Sequence, residues 1–286
     1  MTAPARLTGL DIDDLYFPVR DVGPLDGPVI IALHGFPQTS LCWNQLADYL
    51  ASAGYRVLAL DQRGYAPSAR PQPVEAYRLE RLAGDVLALA DKAGVERFDL
   101  IGHDWGASVG WYLAAARPDR IRTLTAVSSP HPRAFLAAMP GGQGLRSWYI
   151  LLFQLPWLPE YLMRVRGGAL VSSGLRQSGL ADPSPSVRLL SDPEAATAMI
   201  NWYRALRVRR FSSPGKVSVP TLYVWSDRDP WLGRRAAELT AGWVGGPYRF
   251  EVMQGVSHWI PEERPEELSR LVLNHLARFS DAAPET

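Results

Sequence analysis

The sequence predicts an α/β protein: a mostly parallel β-sheet flanked by helices, interrupted by an inserted all-helical cap. Three observations predict it. Short apolar, β-branched runs alternate with longer amphipathic stretches, the pattern of a parallel sheet covered on both faces. One such run, 98–101, passes straight into a helical stretch through a junction bracketed by Gly102 and Gly106. Between Ser128 and about Val217 the alternation stops, and prolines such as Pro130, Pro156 and Pro183 punctuate helical patterns without a convincing strand.

In chain order, residues 15–19 read as an antiparallel edge strand preceding the series. The Val-Ile-Ile-Ala-Leu run at 29–33 is continuous and apolar, as a strand buried on both faces must be. Runs at 56–60, 98–101 and 121–127 repeat that character, and 219–225 and 248–253 resume it late in the chain. The intervening stretches 43–53, 76–93 and 105–116 carry helical periodicity. Within the strandless segment, helical patterns cover 147–155, 159–166 and 194–209, with Arg207, Arg209 and Arg210 expected at a solvated helix end. A structureless excursion of that length is uncommon. The expected division is therefore a core of residues 1–130 and 216–286 and a helical cap of 131–215.

Composition narrows the function class. The 286 residues are 47% hydrophobic with a net charge of +1, and acids and arginines are interspersed. Disorder and a nucleic-acid footprint both lack support. Cys42 is the one cysteine, so neither an intrachain disulfide nor a thiolate metal cluster can form. The opening residues lack the apolar core of a secretory signal, and the greasiest stretch, 148–153, is far short of a membrane span. A cytoplasmic protein without stable membrane insertion is expected.

The junction at 98–107 carries the chemistry. A sharp strand-to-helix turn strains the backbone at its tip and needs small residues two before and two after it. The tip is Asp104, a carboxylate nucleophile beside the positive end of a helix. Gly106-Ala107-Ser108-Val109-Gly110 matches the serine-hydrolase pattern, but Ser108 lies within the helix, not at the strand end.

A carboxylate that esterifies with its substrate needs a base to activate the water that cleaves the ester. Of five histidines, His258 sits in a glycine-containing loop after the last strand, where open α/β sheets bind ligands. The base needs a carboxylate to fix its tautomer. The strand end at 221–230 offers two: Asp229, at the turn preceding a helix, is expected, and Asp227 is placed to pair with Arg228 or cap the turn. Negative charge developing on Asp104 needs two backbone N–H donors, and Phe36 and Trp105 are the expected suppliers.

These segments resemble the α/β-hydrolase fold and, within it, the epoxide hydrolases. The likeness runs in order through His34-Gly35-Phe36-Pro37, Asp61-Gln62-Arg63-Gly64-Tyr65-Ala66-Pro67-Ser68, Gly102-His103-Asp104-Trp105-Gly106, Asp227-Arg228-Asp229-Pro230 and Gly255-Val256-Ser257-His258. Haloalkane dehalogenases share this core set. The resemblance implies two cap tyrosines that hold and protonate the epoxide oxygen, at Tyr149 and Tyr203. A strained ring releases an alkoxide that needs such a donor, whereas a halide needs none. The implied reaction forms a vicinal diol through a hydroxyalkyl ester on Asp104, with a small apolar epoxide and water as partners and no metal or organic cofactor. Phe36, Trp105, Trp148 and Phe153 are the expected substrate contacts. The rivals are a haloalkane dehalogenase and a non-catalytic binding protein on a hydrolase scaffold.

Overall fold

The computed structural model describes residues 5–207 and 214–279. Among these residues, eight strands form one sheet: β1 (Gly9–Ile12), β2 (Leu15–Val22), β3 (Val29–Leu33), β4 (Arg56–Leu60), β5 (Phe98–His103), β6 (Ile121–Val127), β7 (Thr221–Ser226) and β8 (Tyr248–Met253). Their spatial order is β1-β2-β4-β3-β5-β6-β7-β8. β1 pairs antiparallel with β2 and β2 with β4, and the other pairings are parallel. The 15–19 run is antiparallel as expected but is not the edge. β1 lies outside it, with Leu10 opposite Phe17 and both buried. Gly-Leu-Asp-Ile is too short and too polar to announce a strand; it forms because the buried Phe17 face needs a cover.

Helices α1 (Asn44–Ser52), α2 (Leu79–Lys92) and α3 (Trp105–Ala116) follow β3, β4 and β5. The strand pleat divides each run between the two faces. Ile30 and Ala32 pack with Leu46 and Leu50 of α1 on one face, whereas Ile31 and Leu33 pack with Leu82, Val86 and Val109 of α2 and α3 on the other. That is why the 29–33 run has no polar position.

Between β6 and β7 the described elements are helical: α4 (Pro132–Ala138), α5 (Gln143–Arg146), α6 (Trp148–Leu152), α7 (Leu158–Arg164), α8 (Ala169–Gln177), α9 (Ser184–Ser191) and α10 (Pro193–Arg204), with short 3₁₀ turns. The expected 147–155 helix is reduced to α6, because Pro156 ends it early. α10 stops at Arg204, followed by a 3₁₀ turn to Arg207; Arg209 and Arg210 lie outside the described residues. The chain continues through α11 (Arg234–Leu239), α12 (Ile260–Glu263) and α13 (Pro265–Arg278). α13 packs beside α1.

α10 is docked on the core by polar contacts as well as packing. The Trp202 indole donates to the carbonyl of Arg63 at 2.8 Å. Arg63 is itself held bidentate by buried Asp85, at 2.9 and 2.6 Å. Burial pushes the Asp85 carboxyl pKa up, with Arg63 opposing the rise. At the other end of α10, Asp192 caps the helix through the N–H of Glu194 and pairs with Arg70. Asp85→Ala would leave the Arg63 guanidinium buried and unpaired. It should cost roughly 3–5 kcal/mol, read as a lower urea midpoint at unchanged slope.

Candidate active site

The β5–α3 junction holds Asp104 at φ 51° and ψ −117°, a strained backbone costing on the order of 1–3 kcal/mol. The glycines around it are a steric requirement. A Cβ at Gly102 would meet the carbonyl of Gly106, and one at Gly106 would meet the carbonyls of Leu33 and His34. The turn therefore sits in van der Waals contact with the end of β3. Ser108 lies on α3, its N–H donating to the carbonyl of Asp104 at 3.2 Å.

The strand order brings the other groups to this tip. β3 is β5's neighbour, so the turn at residues 34–37 faces Asp104 directly. The Phe36 N–H donates to Asp104 Oδ1 at 2.9 Å, and the Trp105 N–H also stabilises the carboxylate. The other carboxylate oxygen, Oδ2, lies 3.7 Å from His258 Nε2. On the far side of that ring, Nδ1 is 2.6 Å from Asp229 Oδ2. Asp229 is aimed by its second oxygen, which accepts the N–H groups of Trp231 and Leu232 at 2.7 and 2.9 Å. Asp227 faces away, is exposed, and accepts the Gly255 N–H at 2.7 Å.

The loop carrying His258 is pinned on several sides. Its carbonyl lies 3.0 Å from His103 Nε2 and accepts the Ser128 hydroxyl at 2.9 Å. Glu263 accepts both the N–H and the hydroxyl of Ser257. Two further histidines are held by local contacts: His34 contacts Gly35 and Gln62, and His131 stacks on Trp243 at 5.4 Å.

Tyr149 and Tyr203, on α6 and α10, meet above Asp104, their rings 5.9 Å apart. Tyr203 packs edge-on against Trp105 at 5.0 Å and Phe36 at 5.4 Å, and Tyr149 against Trp231 at 5.3 Å. Asp104, both tyrosines, His258, Phe36 and Phe153 line a cavity of about 300 Å³. Trp148 also lines it but is 60% exposed, so it stands at the rim. Trp157 and Tyr161 are exposed and do not line the cavity.

The charges are set by burial and by one another. Burial pushes the Asp104 carboxyl pKa up, opposed by His258 and the two N–H donors. Burial alone would lower His258, but the carboxylates of Asp229, Asp104 and Glu262 outweigh it and hold the ring above its usual value. Both phenols are pushed far up by burial, with Asp104 adding to the rise, and are therefore protonated donors at neutral pH. His103 is pushed well down and stays neutral.

Sequence reasoning missed Gly35 and Trp202 as site-building residues. A Cβ at Gly35 would fall onto the Cβ of Asp104 and 2.6 Å from Oδ1. Its signal was the glycine before Phe36, which reads equally well as a plain turn. Trp202 fixes the helix that presents Tyr203, and nothing in its spacing distinguishes it from a core tryptophan.

With this geometry established, the chain is found to be similar to known proteins over most of its length. A family profile described as alpha/beta hydrolase fold matches residues 28–265. The chain is 36% identical to the AB hydrolase superfamily protein YfhM of Bacillus subtilis, over 90% of this chain and 93% of that protein. It is 33% identical to epoxide hydrolase A of Mycobacterium tuberculosis, over 93% of this chain and 96% of that protein. Among solved structures, epoxide hydrolase A from Mycobacterium thermoresistibile superposes with a TM-score of 0.80 at 26% identity, covering 96% of this chain and 98% of its own.

Gly35→Ala should push Asp104 out of line with the Phe36 N–H. A displacement near 1 Å at such a centre costs ~100-fold, so kcat should fall by about that factor with the far-UV circular dichroism spectrum unchanged.

Proposed function

The chain belongs to the alpha/beta hydrolase fold family and, within it, to the epoxide hydrolases; from that premise we propose that it converts an epoxide into a vicinal diol through a covalent ester on Asp104. One observation carries the reading: Oδ1 of Asp104 is tied to the Phe36 N–H while Oδ2 faces His258 beneath two protonated phenols. In this reading residues 131–215 act as a cap over a core of 1–130 and 216–286.

Oδ2 of Asp104 attacks a ring carbon from the side opposite the C–O bond. That bond breaks, and the oxygen takes a proton from Tyr149 or Tyr203, leaving a hydroxyalkyl ester and a phenolate. Burial and the Asp104 charge keep both phenols protonated, so each holds a proton it can donate to the departing oxygen. The hydrophobic surroundings of the carboxylate keep it poorly solvated and so nucleophilic.

Esterification removes the charge on Asp104. One of the contributions holding a proton on His258 then disappears, so more of the ring is in the neutral form that can accept a proton from water. Water attacks the ester carbon and gives its proton to Nε2, while Asp229 stabilises the imidazolium. The oxyanion that develops on Oδ1 is received by the Phe36 and Trp105 N–H groups. Collapse releases the diol, which takes the proton from His258; the proton left on the Asp104 carboxyl restores the phenol. The phenols favour this reaction over halide release, which requires no proton.

His258→Gln should let the ester form and persist, adding the mass of styrene oxide to the intact protein; absence of any adduct would overturn the two-step scheme. The decay rate of the ester in single turnovers should rise with pH to a plateau as His258 loses its proton. Asp229→Asn removes the foremost carboxylate that raises the ring, so the midpoint should move to lower pH and the plateau rate should fall. An unmoved midpoint would show that another group titrates. Replacing both Tyr149 and Tyr203 with Phe should slow ester formation by at least ~100-fold, measured by stopped-flow tryptophan fluorescence.

A further inference from the structure

The helical segment between β6 and β7 leaves much apolar surface uncovered. Leu145 on α5 and Trp148 and Leu151 on α6 recur every third residue and are 83%, 60% and 75% exposed. Leu155 and Trp157 extend this surface along the chain, and Tyr161 continues it on α7; all three are exposed. Trp148 and Leu170 of α8 are exposed and also line the cavity that holds Asp104, so the apolar surface borders the mouth of the site. Exposed leucines scattered singly are ordinary, but a contiguous group beside charge marks a contact surface.

The charge around it has one sign. Residues 131–215 hold ten arginines against four acids, whereas the rest of the chain holds more acids than bases. From 131 to 181 the only carboxylate is Glu160, which is buried and paired with Arg204. Asp182, the next acid, is offset by Arg188 and Arg176. Arg164 lies three residues beyond Tyr161, on the same face of α7, and Arg166 follows it. Both are exposed, and neither is in an ion pair among the described residues.

We propose that this face is a docking surface for an anionic lipid bilayer, with Leu151 and Trp157 entering the interface and Arg164 and Arg166 meeting the lipid phosphates. A basic surface that presents Trp and Leu has the composition that settles in a bilayer interface, where aromatic rings sit at the level of the headgroups. A second copy of the chain is the rival occupant of an apolar face, but packing this face on itself brings arginine against arginine. An anionic bilayer matches both the hydrocarbon and the charge. Among the described residues no helix is long and apolar enough to cross a membrane, so the contact is peripheral. It sets the cavity mouth against hydrocarbon, the phase in which an apolar substrate dissolves.

The test is sedimentation of the full chain with vesicles of phosphatidylcholine alone and of phosphatidylcholine mixed equally with phosphatidylglycerol. The anionic vesicles should bind at least ~30-fold more tightly, since each arginine near such a surface contributes a factor of roughly five. Salt at ~1 M, which shortens the screening length to about 3 Å, should remove that advantage. Arg164→Gln combined with Arg166→Gln should weaken binding to the anionic vesicles by ~30-fold. Leu151→Glu combined with Trp157→Glu should abolish binding with an unchanged far-UV circular dichroism spectrum, because both side chains are exposed and neither lines the cavity. Equal binding to the two kinds of vesicle, or binding unchanged in both double variants, would overturn the inference. So would binding to neither, and self-association in sedimentation equilibrium that Leu151→Glu abolishes would then assign the face to a second copy. None of these outcomes bears on the epoxide reading, which the His258→Gln adduct tests separately.

Discussion

The site depends on one close approach: the end of β3 against the strained turn at Asp104. Gly106 leaves room for the backbone of Leu33 and His34, Gly35 leaves room for the Asp104 side chain, and Gly102 lets the turn close on itself; with that fit the Phe36 N–H reaches Oδ1. With one carboxylate oxygen tied down, the other faces His258. The strain at φ 51° is sustained because the parallel pairing of β5 with β3 and β6 fixes the turn from both sides. Architecture and chemistry thus meet in the same few backbone atoms.

From that point the charges organise themselves. Asp104 and Asp229 stand on opposite sides of the His258 ring, at 3.7 and 2.6 Å, but their environments differ. Asp229 accepts two backbone N–H groups and the ring, and is almost fully buried. Asp104 opens onto a cavity whose walls are mostly carbon. The first environment supplies the carboxylate with hydrogen bonds; the second leaves an anion that burial disfavours. The same imidazole can serve both because its proton affinity is set by how many of its neighbours are charged.

Much of the core was legible because its strands are buried on both faces and so carry no polar position, as at β3 and β4. β1 was not, since four residues with one buried pair carry no period. In the helical segment, α8 and α9 are half-exposed and short, and their few buried residues leave no continuous stripe. Asp104 and His258 could be found from position alone, one at a strand-to-helix junction and one in the loop after the last strand. The choice between Asp227 and Asp229 could be expected but is fixed by which carboxylate the turn points inward, and that depends on N–H groups two and three residues later. Tyr149 and Tyr203 were reachable only by resemblance, because a tyrosine on an amphipathic helix reads first as packing. Trp148 and Trp157 look alike in sequence, yet one borders a cavity and the other faces solvent.

The contacts of the helical segment between β6 and β7 explain how Tyr149 and Tyr203 come to be positioned together near Asp104. Tyr203 is preceded by Trp202, whose indole is hydrogen-bonded to the Arg63 carbonyl, and its own carbonyl accepts the Gln154 amide at 3.0 Å. Gln154 lies just past α6, the helix that carries Tyr149. The helices carrying the two phenols are therefore linked to each other by a side-chain-to-backbone hydrogen bond, and α10 is linked to Arg63, which Asp85 on α2 holds in place. A shift of α10 relative to the Arg63 segment must break the buried indole hydrogen bond, which is costly to leave unmatched. The phenols of Tyr149 and Tyr203 and the carboxylate of Asp104 thus sit on elements tied to one another by these contacts.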